Sequence, residues 1–322
     1  MARAQRSIGE LYEAATIGER RALGRLLSFV ERGGDAADEI SELAHPDAKG
    51  AHIVGITGSP GAGKSTLVGA LTVHLAELGR NPAVLAVDPS SPLTGGAILG
   101  DRIRIEREGI GFVRSMATRG HSGGLALAVP LAVRLFDALG FDPVIIETVG
   151  VGQVEVDVVG AADSAVVVMT PGMGDAVQAN KAGLLEVADV FVVNKADRPG
   201  AKDVVRDLDL MLDLSHVTGQ EDETGYRPPI VLASALNNDG TSEVWRTVEE
   251  HLAHLDSHDR RKQRREHRIR TEVRARLLQA MGAAGEAAMN SAQGRSLLAD
   301  AEAARISPNS ASARILEGIV GA

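Results

Sequence analysis

The sequence predicts a doubly wound α/β domain with a helical segment before it and another after it. Between residues 51 and 256, short apolar runs alternate with amphipathic helical stretches. The runs are uninterrupted, which is typical of parallel strands that are buried on both faces of a sheet. The predicted strands are residues 53–57, 83–87, 111–114, 143–147, 164–169, 190–194 and 230–233.

The two flanking segments are predicted to be helical. Apolar residues recur at helical spacing over residues 8–43, with a break at Gly33 and Gly34 and an end at His45 and Pro46. The resulting domain prediction is an N-terminal helical segment over residues 1–50 and the α/β domain over residues 51–256.

The C-terminal segment, residues 257–322, contains no predicted strand. A charged helix over residues 258–281 is followed by small residues at 282–288 and by a last helical region that ends near Ile319. Large apolar residues are too few for a separate core, so we expect this segment to pack on the main domain or on another chain.

Composition excludes several classes of protein. The chain has 322 residues, 44% of them hydrophobic, which is enough for a full core. The absence of cysteine excludes disulfides, thiolate metal sites and cysteine nucleophiles. The net charge of −9 argues against general nucleic-acid binding, and no apolar run is long enough to span a bilayer. We expect a cytoplasmic protein without a membrane or nucleic-acid partner.

A phosphate-binding loop is predicted directly after the first strand. Residues 58–65 read GSPGAGKS and fit the pattern G-x-x-x-x-G-K-[ST] between a strand and a helix. Glycines let backbone N–H groups turn towards an anion, and the helix start adds positive charge. We expect Lys64 to reach the terminal phosphates and Ser65 to bind Mg²⁺. The predicted contacts are Gly58, Ser59, Pro60, Gly61, Ala62, Gly63, Lys64, Ser65 and Thr66.

Three acidic residues are candidates for the magnesium site. Glu147 ends a buried strand ahead of Thr148, Asp88 ends the second strand, and Asp101 follows a glycine-rich loop. Ligands of such sheets gather at the carboxyl ends of the strands, which favours a role in metal binding and catalysis for Glu147 and Asp88. A solvated strand-end carboxylate is the alternative for Glu147, an Asx turn is the alternative for Asp88, and helix capping is the alternative for Asp101.

Guanine recognition is predicted after the sixth strand. Asn194, Lys195 and Asp197 form the pattern N-K-x-D. The carboxylate of Asp197 can accept hydrogen bonds from the ring N–H and the exocyclic amine of guanine, a pair of donors that adenine lacks. Lys195 can lie over the base. After the last strand, Ser234, Ala235 and Leu236 are expected to present a backbone N–H to the guanine carbonyl. GTP and GDP are therefore the expected ligands.

Several stretches together resemble a known family. They read GITGSPGAGKST, VLAVDPSSPLTGGAILGDRIR, ATRGHSGGLA, IIETVGVGQVEVD, MTPGMGDAVQANKAGLLEVADVFVVNKAD and ASALNNDG. The resemblance is to the methylmalonyl-CoA mutase-associated GTPases, the MeaB group, also labelled ArgK or LAO/AO transport kinase. It runs through residues 8–281 and is tightest over 51–197. It implies a P-loop GTPase domain of the signal-recognition and MinD-like class with a C-terminal helical dimerisation arm.

The resemblance also implies a function and its partners. The family members are GTP-dependent chaperones of the adenosylcobalamin-dependent methylmalonyl-CoA mutase that gate cofactor loading, limit inactivation and help to release damaged cofactor. The implied partners are this mutase or a related one, a second copy of the chain, and the adenosyltransferase as a further candidate.

At the level of residues, the resemblance adds two expectations. Asp88, Asp101 and Glu147 match acidic residues of the family's Mg²⁺ site. Residues 171–181 match an extra switch loop that contacts the mutase, and its candidate contacts are Asp175, Gln178 and Lys181. The residues alone indicate there only a polar, glycine-containing loop.

The group that orients the attacking water is missing from its usual position. In many regulatory GTPases a glutamine directly follows the strand-end motif. Here Val151 follows Gly150, and Gln153 lies two positions further on. We therefore expect slow hydrolysis by the isolated protein and acceleration by a partner.

Three alternatives remain. In a nickel-delivery GTPase, His251, His254 and His258 on one helical face would bind metal, although a solvated helix end is the favoured interpretation. The older kinase label requires a phosphoacceptor site, and the sequence shows none. The basic helix from Arg260 to Arg276 suggests membrane or nucleic-acid binding, but a solvated or dimer-facing helix is favoured. Arg119 and His121 either line the site or cap the following helix, and the sequence does not decide.

Overall fold

A computed structural model of the chain describes residues 6–88, 111–117, 124–148, 162–172, 187–217 and 225–320. These residues form seven strands and ten helices. By their contacts they divide into two compact units, one up to Glu266 and one from His267 onwards.

The seven strands form one parallel sheet, as the sequence predicts. Their order across the sheet is β3-β2-β4-β1-β5-β6-β7, and each neighbouring pair is parallel. The predicted strand boundaries agree with the structure to within three residues. The strands are β1 (Ile53–Gly58), β2 (Ala83–Asp88), β3 (Phe112–Ala117), β4 (Val144–Thr148), β5 (Ser164–Met169), β6 (Val190–Val193) and β7 (Ile230–Leu232).

Helices cover both faces of the sheet, which makes the fold doubly wound. Successive side chains of a strand point to opposite faces. Accordingly, Val144 and Ile146 pack in a cluster with the N-terminal helices, whereas Ile145 packs in a second cluster with Leu67 and Val248. The helices of the domain are α4 (Lys64–Glu77), α5 (Gly124–Ala138), α6 (Ala201–Val217) and α7 (Thr241–Ser257).

The N-terminal segment is three helices rather than the two that a single break at Gly33 and Gly34 predicts. They are α1 (Ile8–Thr16), α2 (Arg20–Arg32) and α3 (Asp35–Ala44). The additional break lies at Gly18, whose φ of +91° an L residue rarely adopts. Apolar spacing misses this break because both helices direct their apolar residues into the same core cluster.

The C-terminal segment begins with α8 (Arg260–Met289), followed by α9 (Ala292–Glu302) and α10 (Pro308–Val320). The predicted interruption at residues 282–288 is wrong, because α8 continues through it. Alanine is the best helix former, and four alanines in this stretch offset its two glycines. Among the described residues of the second unit, Leu297 and Ala311 are the apolar side chains that are buried.

Within the described parts of the chain, no helix combines the length and the apolar character that a membrane span requires.

Candidate functional site

The sheet topology brings the predicted motifs to one edge. The loop after β1 leads into α4, and β4 lies beside β1 with Ile56 opposite Glu147. Asn194 follows β6, and Ser234 comes two residues after β7. Because all strands are parallel, each of these residues lies at the carboxyl edge, where such sheets bind ligands.

The phosphate-binding loop requires glycine at two positions for steric reasons. A Cβ on Gly58 would lie 2.0 Å from the backbone oxygen of Val168, and a Cβ on Gly63 would lie 2.4 Å from Nδ2 of Asn194. Both glycines also have positive φ angles, +135° and +89°. The loop therefore lies directly against β5 and against the guanine motif.

Lys64 begins α4 and folds over the loop. Its Nζ donates hydrogen bonds to the backbone oxygens of Gly58, at 2.5 Å, and Ser59, at 3.3 Å. The side chain is buried. A buried ammonium group at a helix N-terminus supplies positive charge where phosphate oxygens bind.

Two of the four predicted magnesium ligands are in contact. Oγ of Ser65 donates a hydrogen bond of 2.5 Å to Oε1 of Glu147, whose side chain is buried. A hydroxyl and a carboxylate are the hard oxygen ligands that Mg²⁺ prefers, so this pair fits the ion. The structure describes the backbone of Asp88, the last residue of β2, but not its side chain, and Asp101 lies outside the described residues.

Asn194 links the phosphate loop to the guanine motif. Its Nδ2 donates to the backbone oxygen of Ala62 at 2.8 Å, and its Oδ1 accepts from the backbone N–H of Ala235 at 3.1 Å. Nζ of Lys195 donates to the backbone oxygen of Gly61 at 2.6 Å. Three segments that are distant in sequence therefore form one hydrogen-bonded frame.

Asp197 is the predicted acceptor for guanine, and Ser234 orients it. Oγ of Ser234 donates a hydrogen bond of 2.6 Å to Oδ1 of Asp197. This hydrogen bond is the main cause that lowers the pKa of Asp197, which keeps the carboxylate ionised. The Asp197 side chain is exposed.

The segment after β7, which is predicted to present a backbone N–H to the guanine carbonyl, differs from its prediction in one respect. The N–H of Ala235, one of the predicted donors to the guanine carbonyl, is held by Asn194. Leu236 is 87% exposed beside it. Thr66 lies in the first turn of α4 and is half-buried.

The remaining candidates lie outside the described residues. They are Arg119, His121, Gly150, Val151, Gln153, Asp175, Gln178 and Lys181.

Comparisons with known proteins show the family of the chain. The family model described as "Methylmalonyl Co-A mutase-associated GTPase MeaB" matches residues 23–287. The chain belongs to this family. A putative GTPase of Pyrococcus abyssi is 44% identical over 98% of this chain and 97% of that protein. The mouse protein "Methylmalonic aciduria type A homolog, mitochondrial" is 33% identical over 76% of this chain and 63% of that protein.

A solved structure supports the same fold. The crystal structure of LAO/AO transport system kinase superimposes with a TM-score of 0.70 at 25% sequence identity, over 97% of each chain. The chain is thus a MeaB-family GTPase, and it hydrolyses GTP to GDP and phosphate.

In this MeaB-family GTPase, the predicted solvated helix end at His251 is wrong. His251 is 1% exposed. Its Nδ1 lies 2.8 Å from Oγ of Ser164, and its Nε2 lies 3.2 Å from Oδ1 of Asp189. His254 is half-buried and stacks on Tyr226 at 4.8 Å, and His258 is exposed. Within the parts of the chain that the structure describes, no three His, Cys, Asp or Glu side chains are grouped to hold a metal ion.

The histidine belongs to a polar network at the opposite, amino edge of the sheet. His52 precedes β1, Ser164 begins β5 and Asp189 precedes β6. Nε2 of His52 lies 2.8 Å from Oγ of Ser164, and Asp189 accepts two hydrogen bonds of 2.8 Å from the guanidinium of Arg264 on α8. Serine, histidine and aspartate are the residues of a hydrolytic triad, but Ser164 is 0% exposed and cannot reach a substrate.

These contacts link four buried side chains in one series. Asp189 pairs with Nε2 of His251, Nδ1 of His251 pairs with Oγ of Ser164, and the same Oγ pairs with Nε2 of His52. Burial lowers the pKa of His52 to about 4. Arg261 and His251 add to this shift, and Asp163 and Asp142 oppose it. The sequence carries no signal for the network, because its members come from five separate parts of the chain.

This shift predicts a loss of stability in acid. The folded-state pKa of His52 lies below its unfolded value of 6.5, so the unfolded chain binds the proton more tightly. The free energy of unfolding should fall as the pH decreases from 6.5 to about 4, by about 3 kcal/mol from this residue. The measurement is urea unfolding between pH 7 and 4.5, followed by the fluorescence of Trp245, the single tryptophan.

The matched comparison is His52→Gln against His267→Gln, because His267 is exposed on α8. Glutamine still donates to Ser164 but does not titrate, so His52→Gln should flatten the pH dependence above pH 4.5. An equally steep dependence in His52→Gln would contradict the assignment.

Proposed function

We propose that this MeaB-family GTPase is a chaperone of an adenosylcobalamin-dependent methylmalonyl-CoA mutase or of a related acyl-CoA mutase. It gates loading of the cofactor and protects or reactivates the mutase. The support is the family description, which names association with methylmalonyl-CoA mutase, and the similarity to the mouse methylmalonic aciduria type A homolog. The adenosyltransferase is proposed as a second partner.

The observation that carries the nucleotide part of the proposal is the frame around Asn194. Its hydrogen bonds to Ala62 and Ala235 hold the phosphate loop and the guanine motif together. A nucleotide lying along this frame places its phosphates at Lys64 and its base at Asp197. The predicted residues of both motifs are proposed to bind GTP and GDP in this way.

We propose that Mg²⁺ binds with the nucleotide. Ser65 and Glu147 would hold the ion, with Asp88 and Asp101 completing the acidic set. When bound, Mg²⁺ neutralises charge that develops on the β- and γ-phosphate oxygens. Lys64 contributes a further positive charge to the same oxygens, and Glu147 and Asp88 are the proposed catalytic carboxylates.

The proposed coupling to the mutase runs through two segments outside the described residues. Val151 cannot orient water, and the loop with Asp175, Gln178 and Lys181 is the proposed mutase contact. Alone, the protein retains charge stabilisation but lacks an oriented water, and orientation contributes several orders of magnitude to rates. Docking on the mutase would supply the missing orientation, so that hydrolysis reports a completed encounter.

We also propose a homodimer that depends on the C-terminal arm at residues 257–322. The arm follows the proposed helical segment at 1–50 and the proposed GTPase domain at 51–256. The arm exposes a stripe of apolar side chains along α8, each four residues from the next. They are Ile269, Val273, Leu277 and Met281, each about half exposed. Such a stripe is typical of a helix that packs against a partner.

The test is single-turnover GTP hydrolysis with and without methylmalonyl-CoA mutase. We expect slow hydrolysis by the protein alone and an acceleration of at least about tenfold by the mutase. Gln178→Ala and Lys181→Ala should reduce the acceleration but not the basal rate. Lys202→Ala, on the exposed surface of α6, is the control and should change neither rate.

Light scattering on the same samples gives the oligomeric state, and the mass of the protein alone should be that of two chains. A fast basal rate that neither the mutase nor the loop variants change would refute the chaperone proposal. A single-chain mass would refute the dimer.

A further inference from the structure

We propose that Asn237 is a positioning residue for guanine specificity, because it directs the hydroxyl proton of Ser234 towards Asp197. Nδ2 of Asn237 lies 3.0 Å from Oγ of Ser234, which in turn lies 2.6 Å from Oδ1 of Asp197. The inference rests on the proposed role of Asp197 in binding guanine.

The direction of the two hydrogen bonds follows from the donors available. A serine hydroxyl has one proton and two acceptor lone pairs, and an amide nitrogen only donates. When Nδ2 of Asn237 donates to Ser234, the Ser234 proton is free to point at the carboxylate of Asp197. Asp197 is then held as an ionised acceptor, which matches the lowered pKa of its carboxyl group.

The turn around Asn237 holds the amide in place. Residues Ala235–Asn237 form a single 3-10 turn, in which the N–H of Asn237 donates to the backbone oxygen of Ser234 at 2.9 Å. The turn closes through two backbone hydrogen bonds between Ser234 and Asp239. At Gly240, a Cβ would lie 2.4 Å from the backbone oxygen of Leu232, so the chain must leave the turn through glycine.

The exposed position of Asn237 allows its role to be tested without a change in core packing. Ser234 is 3% exposed, whereas the Asn237 side chain is exposed. Replacing Asn237 therefore opens no cavity in the core, and its variants should fold. What they remove is the donor that fixes the Ser234 hydroxyl.

The test measures the affinities of GDP, IDP and ADP by calorimetry for the full chain. IDP lacks the exocyclic amine, so the ratio of the IDP and GDP dissociation constants reports recognition by Asp197. In Asn237→Ala we expect GDP to bind about fivefold more weakly and IDP to change less. In Asn237→Asp the loss should be larger, because a carboxylate accepts the Ser234 proton and adds negative charge beside Asp197.

Two matched variants isolate the mechanism. Asn238→Gly changes the neighbouring exposed amide at a φ of +56°, which glycine adopts readily, and it should leave both affinities unchanged. In a Ser234→Ala background, Asn237→Ala should cause no further loss, because the two residues act in series. The maximal single-turnover rate at saturating GTP should stay the same in Asn237→Ala, since the phosphate loop is untouched.

Two results would overturn the inference. One is an equal loss of GDP and IDP affinity in Asn237→Ala, and the other is an undiminished effect in the Ser234→Ala background. Equal binding of GDP, IDP and ADP by the wild type would instead remove the guanine site together with the inference. An unchanged ratio of the IDP and GDP dissociation constants in every Asn237 variant would overturn the inference but leave the guanine site in place.

Discussion

Replacing Lys64 with alanine should reduce GTP turnover by roughly 10³-fold. The ammonium group supplies positive charge to the terminal phosphates within a buried site, where electrostatic stabilisation is strongest. Its loss also removes the donor to the backbone oxygens of Gly58 and Ser59, so the loop loses an internal support. The measurement is phosphate release under single-turnover conditions at saturating GTP and Mg²⁺.

Because Lys64 is buried, its variant needs a check on folding. Lys64→Arg retains the charge but changes the geometry, so it should fold normally and still hydrolyse slowly. Lys202→Ala removes an exposed lysine and should leave turnover unchanged. Near-normal hydrolysis in a folded Lys64→Ala protein would contradict the phosphate-loop assignment.

Asp197→Asn should move the nucleotide preference from guanine to xanthine. A carboxylate accepts two hydrogen bonds, whereas an asparagine amide presents one donor and one acceptor. Xanthine carries a carbonyl where guanine carries its exocyclic amine, so the amide suits xanthine. We expect GTP affinity to fall about 100-fold and XTP affinity to rise by a similar factor, because a mismatched polar pair is heavily penalised.

The structure sharpens this experiment, because Ser234 donates to one oxygen of Asp197. In the variant, that serine should select the amide rotamer whose oxygen faces it, so the amide nitrogen faces the base. Asp207→Asn, an exposed acid on α6, is the control and should not change the preference. Equal wild-type affinity for ATP and GTP would contradict the guanine assignment.

Some of the fold and much of the site follow from local sequence patterns. Strands β2, β5 and β6 each contain an apolar run of at least four residues, which is typical of strands buried on both faces of a sheet, whereas β3 and β4 also carry polar residues. The glycines, Lys64 and Ser65 predict a phosphate loop because backbone freedom and positive charge are needed within a few residues. Asn194 and Asp197 likewise predict guanine binding, because the residues that would recognise the base lie within four consecutive positions.

Helix boundaries were less predictable. The break at Gly18 and the continuity of α8 through residues 282–288 both depend on which surface each helix covers. Apolar spacing reports that a helix is amphipathic but not where its axis changes direction. The pattern therefore predicted which stretches are helical, but it did not predict where each helix ends.

By itself, the sequence determined that this protein is a parallel α/β GTPase, and it predicted which segments bind phosphate and base. Only the tertiary structure decided which side chains meet. Asn194 reaches Ala62 across 132 residues, and Ser65 reaches Glu147 across 82. The buried contacts of His251 also depend on the tertiary structure, because the order of the strands brings the starts of β5 and β6 beneath α7. A hydrogen bond between distant segments depends on their placement in the sheet, and no local pattern of residues encodes that placement.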